Sequence, residues 1–189
     1  PRRLMCHRCG WCRAGPIQRS QGRCRNSAAS CHIRRQRFTA TPAEHFSGRS
    51  AGDRNLTLWS SWVIASERHR LFFSGDTGLT DAFSEVGKRL GPFDVVMLEV
   101  GAFHPSWGTI HLGPKNALKA HRLLSGEKPG LLLPVHWGTF NLAMHAWHEP
   151  AETLFNDARD EGVKLLTPRL GEVVEPSLVD TLPPWWRER

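Results

Sequence analysis

No stretch of this 189-residue chain approaches the roughly 18 consecutive apolar residues that a membrane-spanning helix needs, so a soluble protein is expected. No apolar run follows the basic N-terminus either, so no secretory signal is read there. The chain starts at Pro1 rather than Met, as expected of a fragment or a processed product. Acid is missing from residues 1–43, which hold ten Arg and no Lys, Asp or Glu. Cysteine is missing from the rest: Cys6, Cys9, Cys12, Cys24 and Cys31 all lie in that basic segment. A body without Cys fits a reducing compartment, and a cytoplasmic location is expected. With 40% hydrophobic and 23% charged residues, a wholly disordered or collagen-like chain is excluded, and the length suits one domain with a core.

The formal charge of +7 invites a nucleic-acid partner, but its distribution argues against one. Ten of the 25 basic residues sit in the N-terminal segment, which leaves 15 against 18 acidic residues in a mildly acidic body. The composition breaks near Phe38. Residues 1–38 read as an Arg/Cys-rich segment, disordered or translated out of frame, because apolar residues are too few to offset chain entropy. Two other readings stay open. Cys6 and Cys9 with Cys31 and His32 have a spacing conceivable for zinc, and the arginines suit an arm that binds phosphate backbones on a non-catalytic scaffold.

Residues 39–176 read as one α/β domain, followed by a tail over 177–189. Leu56–Ala65 and Arg70–Ser74 have the apolar and aromatic content of strands joined by the polar turn Glu67-Arg68-His69. A helix is expected from Thr80 to Leu90, with Phe83, Val86 and Leu90 on one face and a stop at Gly91-Pro92. Val95–Val100 suits a strand buried on both faces. A second helix from Pro114 to Leu124 should bury Ala117, Leu118 and His121 or Leu124. Leu131–Val135 is a further strand, which Pro134 confines to an edge or a strand end. A third helix starts near Pro150, carries Leu154, Phe155 and Ala158, and stops at Gly162. Short strands are expected at Val163–Leu166 and Glu172–Val174. Strands alternating with helices indicate a layered α/β architecture.

Three punctuated segments carry groups suited to chemistry: Thr41-Pro-Ala-Glu-His45-Phe-Ser-Gly-Arg49, Phe73-Ser-Gly-Asp76-Thr-Gly78 and Val135-His136-Trp-Gly-Thr-Phe140. Glycine-flanked strand exits fix a side chain on the sheet and expose it at a loop. Two His and one Asp suit zinc or another borderline metal, and a carboxylate can bridge two ions. Each residue also has a plainer role: Asp76 in an Asx-turn, His136 buried against backbone, His45 in a loop. The three together favour metal. Glu99 lies in a strand that reads as buried, where an unpaired carboxylate is costly, so a partner is expected.

These strings, with Gly91-Pro-Phe-Asp94 and His136-Trp-Gly-Thr-Phe140, closely resemble the metallo-β-lactamase superfamily. Within it they are most similar to the branch of N-acyl-phosphatidylethanolamine-hydrolysing phospholipase D and the ascorbate-phosphate lactonases. The resemblance runs from about Phe38 to Glu175 and corresponds to the C-terminal half of an αββα sandwich. It implies a hydrolase in which a metal-activated water attacks a phosphodiester or a lactone or ester. It implies two divalent metal ions, zinc expected and manganese or iron as alternatives. On the resemblance His45, Asp76 and His136 are metal ligands, with Asp76 bridging the ions. His111, in Trp107-Gly-Thr-Ile-His111-Leu-Gly-Pro114, stands at the active-site rim, where it could donate a proton to the leaving group.

The departure from the family is equally plain. Its principal ligand cluster, His-x-His-x-Asp-His, occurs nowhere in the chain, and residues 1–38 supply only His7 and His32. His45, Asp76 and His136 alone leave fewer than the three protein ligands usual at a catalytic zinc, so this truncated chain is expected to be inactive, with one face of its sheet uncovered. His145 and Trp147 fall where the branch borders its substrate entrance, and are expected either to line a pocket for a small-molecule or phospholipid-like ester or simply to pack at the surface. Trp185-Trp186-Arg187 reads as a tail packed on the domain edge, with contact to a lipid interface as the alternative.

Overall fold

The computed structural model describes residues 30–33, 35–48, 50, 52–141, 143–179 and 182–188. The proposed Cys6/Cys9 zinc pair and most of the arginine arm lie outside them. Six strands form one mixed sheet in chain order: β1 (Ser30–Ile33), β2 (Gln36–Pro42), β3 (Ser60–Ala65), β4 (Arg70–Phe73), β5 (Val95–Glu99) and β6 (Leu131–Val135). The first four pair antiparallel, and β4, β5 and β6 run parallel. β2, β4, β5 and β6 therefore point the same way, and their C-terminal ends share one edge of the sheet.

Pairing begins before the compositional break, since Ser30 faces Thr39 and Ile33 faces Gln36. An edge strand draws its order from backbone hydrogen bonds and can be polar, so hydrophobic pattern gives no sign of it. β3 starts at Ser60 rather than Leu56. The stretch before it is a loop tied to itself, with the Asn55 N–H donating to Ser47 O and the Ser47 hydroxyl to Thr57 O. Leu58 is exposed in that loop rather than buried in a strand. Val163–Leu166 contributes a single parallel bridge, Leu132 to Leu165, rather than a strand. Pro168, with no N–H to give, follows at once. Glu172–Val174 forms no strand; the Glu172 N–H closes a turn on Arg169 O.

Three helices fill the connections: α1 (Ala82–Leu90), α2 (Gly113–Ser125) and α3 (Glu149–Asp160). Their apolar residues recur at helical spacing, with Phe83 and Val86 on α1, Ala117, Leu118, His121 and Leu124 on α2, and Leu154 and Ala158 on α3. Each set is buried in one core with Phe72, Val96, Leu98 and Leu132 from one face of the sheet. Both His121 and Leu124 are inside. The opposite face, through Leu71, Val95, Met97, Leu131 and Leu133, is covered by Leu166, Val174, Val179 and Leu182 from the C-terminal segment. No helix among the described residues is long and apolar enough to cross a membrane.

The C-terminal residues are held against α3. Trp186 is buried, its indole N–H donates to Glu152, and the Arg187 guanidinium makes two hydrogen bonds to the same carboxylate. These contacts pull the Glu152 carboxyl down to about 2, with Arg187 the largest cause and Trp186 next.

Candidate metal centre

The shared sheet edge gathers the groups singled out in the sequence. Asp76 follows β4, Glu99 ends β5, His136 follows β6, and His45 lies in the loop after β2. His111 comes from the segment between β5 and α2. Strand exits of this kind are where α/β sheets place reactive groups.

Backbone contacts fix the loops. The Thr77 hydroxyl accepts from the Glu44 N–H at 2.9 Å, and the Gly78 N–H donates to Glu44 O at 2.8 Å, joining the His45 loop to the Asp76 loop. His136 holds a left-handed backbone at φ 64°, a conformation few non-glycine residues adopt away from functional sites. Gly101 explains how its backbone is seated: a Cβ there would stand 2.0 Å from His136 O. Only glycine lets the β5 exit pass so close.

His136 turns its two ring nitrogens to two carboxylates. Nε2 faces Asp76 Oδ1 at 3.6 Å, and Nδ1 faces Glu99 Oε2 at 3.4 Å. The Asp76 spacing is long for a hydrogen bond. It is close to the roughly 3.4 Å that separates two donors about 2.1 Å from one tetrahedral zinc. His45 has Nδ1 against Phe46 O at 2.8 Å, which leaves Nε2 for another partner. Its ring packs on Phe46 and Trp59 and lies 5.3 Å from the His111 ring, which in turn stacks 5.3 Å from His136. The donor set therefore fits a borderline divalent metal: imidazoles whose Nδ1 is engaged by a carbonyl or carboxylate, beside a part-exposed carboxylate.

Glu99 is fully buried and fully engaged. Oε1 accepts the N–H groups of Thr77 at 2.9 Å and Leu112 at 3.1 Å, and Oε2 accepts His111 Nδ1 at 2.6 Å. That hydrogen bond is the largest influence on His111 and raises its pKa above 6.5. Burial opposes it, and the negative charges of Glu99 and Asp76 add to it. Sequence reasoning expected a partner for Glu99 but not which one. The signal was an acid inside a buried strand. Among the described residues, one group of potential ligand atoms lies within 4.8 Å of one another, and it joins Glu99, His111 and His136 rather than His45, Asp76 and His136.

His145 and Trp147 stand apart from this cluster. The His145 ring stacks on Phe103, and Trp147 meets His148 and Trp185. Trp185 stacks in turn on Trp137, the neighbour of His136. A groove of about 340 Å³ opens beside His45 and His111, lined by Phe46, Ser47, Gly48, Ser50, Arg54 and Ile110.

A sequence profile of the β-lactamase superfamily domain matches residues 18–137. An uncharacterised protein of Mycobacterium tuberculosis is 46% identical over 146 residues, which cover 77% of this chain and 39% of that protein. N-acyl-phosphatidylethanolamine-hydrolyzing phospholipase D 1 of Caenorhabditis elegans is 34% identical over 144 residues, 72% of this chain and 40% of its own length. The chain thus spans about two fifths of the length of these relatives. In fold it is similar to a metallo hydrolase of the archaeon Ignicoccus hospitalis, with a TM-score of 0.57 at 21% identity over 79% of this chain and 58% of that one. With the six-stranded sheet and its three helices, these matches establish that the chain belongs to the metallo-β-lactamase superfamily of metal-dependent hydrolases.

Proposed function

We propose that the sheet edge is part of the active site of a hydrolase that cleaves a phosphodiester or a lactone or ester, and that His45, Asp76 and His136 hold two divalent ions, zinc by preference. The observation that carries the reading is the 3.6 Å approach of His136 Nε2 to Asp76 Oδ1 beside two further imidazoles. Bound ions would supply Lewis acidity and lower the pKa of an attacking water. The residues of the chain do the rest. Asp76 and His136 set the place of the metal on rigid strand exits. His111, its pKa raised by Glu99, holds a proton for the leaving group. The groove beside His45 and His111 offers Phe46 and Ile110 to an apolar substituent and Arg54 to an anionic one. His145 and Trp147 flank the approach through Phe103 and Trp185. With no His-x-His-x-Asp-His cluster in its sequence, this polypeptide by itself holds a partial site and turns over no substrate.

Zinc titration of the chain by calorimetry tests the reading. Asp76→Ala and His136→Ala should each weaken binding at least about tenfold. A chromogenic phosphodiester and a lactone should remain intact with the wild-type chain. Zinc affinity unchanged in both variants would overturn the ligand assignment, and turnover that persists in chelator would overturn the metal mechanism.

A further inference from the structure

Glu99 is the one acid of the cluster that is completely shielded from water, and each of its oxygens has a defined duty. Oε1 takes two backbone N–H groups from different loops, Thr77 and Leu112. Oε2 takes His111 Nδ1 at 2.6 Å and faces His136 Nδ1 at 3.4 Å. An ionised carboxylate only accepts, so the imidazole nitrogen at 2.6 Å must carry the proton. His136 Nδ1 stands 3.4 Å from the same oxygen and its Nε2 3.6 Å from Asp76 Oδ1, so its ring lies between two carboxylates. His111 keeps Nε2 for the side of its ring away from Glu99.

We infer that Glu99 is a positioning residue, not a metal ligand: through the single atom Oε2 it sets the tautomer and the ring orientation of His111. The inference rests on the metal-dependent reading of the site only for its consequence, since the His111 tautomer is set in the metal-free chain. The two backbone donors on Oε1 make it testable. In Glu99→Gln the amide oxygen stays on the Thr77 and Leu112 N–H groups, because reversing the amide would set its NH2 against two donors. The NH2 then faces His111 Nδ1, which must accept, and the proton moves to Nε2. An isosteric change thus inverts a tautomer.

The experiment is long-range proton–nitrogen correlation on the full, uniformly labelled 189-residue chain, metal-free and at alkaline pH. His111 of the wild type should carry the proton on Nδ1, and Glu99→Gln should move it to Nε2. A wild-type His111 protonated on Nε2, or a variant that keeps the Nδ1 proton, overturns the inference. Zinc titration of the same samples separates positioning from ligation. A positioning carboxylate predicts unchanged zinc stoichiometry in Glu99→Gln. Complete loss of zinc from a folded variant would make Glu99 a ligand and overturn the inference. If the wild type also fails to bind zinc, the hydrolase reading falls while the tautomers still decide the role of Glu99. If Glu99→Gln does not fold, the wild-type spectrum alone decides it.

Discussion

His136 owes its place to a residue that carries no chemistry. Its backbone is left-handed, and its carbonyl lies so near the Gly101 Cα that a methyl group would have to occupy the same space. Gly101→Ala should therefore push the His136 loop off β5. Overpacking of this kind costs about 1–3 kcal/mol, readable as a lower urea midpoint. Zinc affinity should fall as well, because Nε2 leaves its station opposite Asp76. A variant with wild-type stability and affinity would show that the loop is free to shift. At this scale the sequence was informative where type and context coincided. Asp76 beside Gly75 and His136 two residues before Gly138 stood out as candidates, and both lie at strand exits on the shared edge. Glu99 could only be said to need a partner, because the 2.6 Å contact to His111 depends on how the segment after β5 folds back, and no spacing encodes that.

The elements show the same division. α1, α2 and α3 follow from apolar residues at helical spacing with glycine or proline near their ends, and each was legible to within a few residues. β1 and β2 were not, because their order comes from pairing between polar segments rather than from an apolar pattern. Val163–Leu166 misled in the other direction, with strand composition but only one bridge formed. His121 on α2 yields a prediction that belongs to this scale. It is 1% exposed, and its Nε2–H donates to Gly130 O at 2.9 Å, which ties the helix to the start of β6. Burial lowers its pKa below 6.5, the Gly130 carbonyl opposes this, and the Arg122 charge adds to it. The unfolded chain then binds a proton at His121 more readily than the folded one. The contribution to stability is complete above about 6.5 and is lost as pH falls through the lower folded value. Urea midpoints measured from neutral to mildly acidic pH should drop more steeply for the wild type than for His121→Gln. Parallel slopes would mean that His121 does not titrate differently on folding.

At the scale of the whole molecule, the two faces of the sheet are unequally covered among the described residues. One is closed by three helices, and under β4 to β6 the other is closed by the C-terminal segment. Under β2 and β3 that second face carries Phe38, Trp62 and Ile64, whose register places them beside Phe73 and Leu71. None of the three belongs to a core cluster, and Phe73 is 37% exposed. Contiguous apolar area on an isolated chain draws dyes and other copies of itself. In the αββα sandwich that the superfamily builds, this is the side on which a second sheet packs. The chain alone should therefore bind an apolar dye in its folded state and sediment as a mixture of monomer and larger species. Replacing Trp62 and Phe73 together with Thr keeps strand propensity while removing the aromatic surface. Dye fluorescence should then fall roughly twofold or more, with sedimentation shifted toward monomer, because the patch shrinks below the size that drives association. Zinc binding should survive, since both side chains point away from the face that carries Phe72 and Val63. Unchanged fluorescence in the double variant would place the exposed apolar surface elsewhere, with the rim residues Phe46, Phe140 and Met144 as the next to replace.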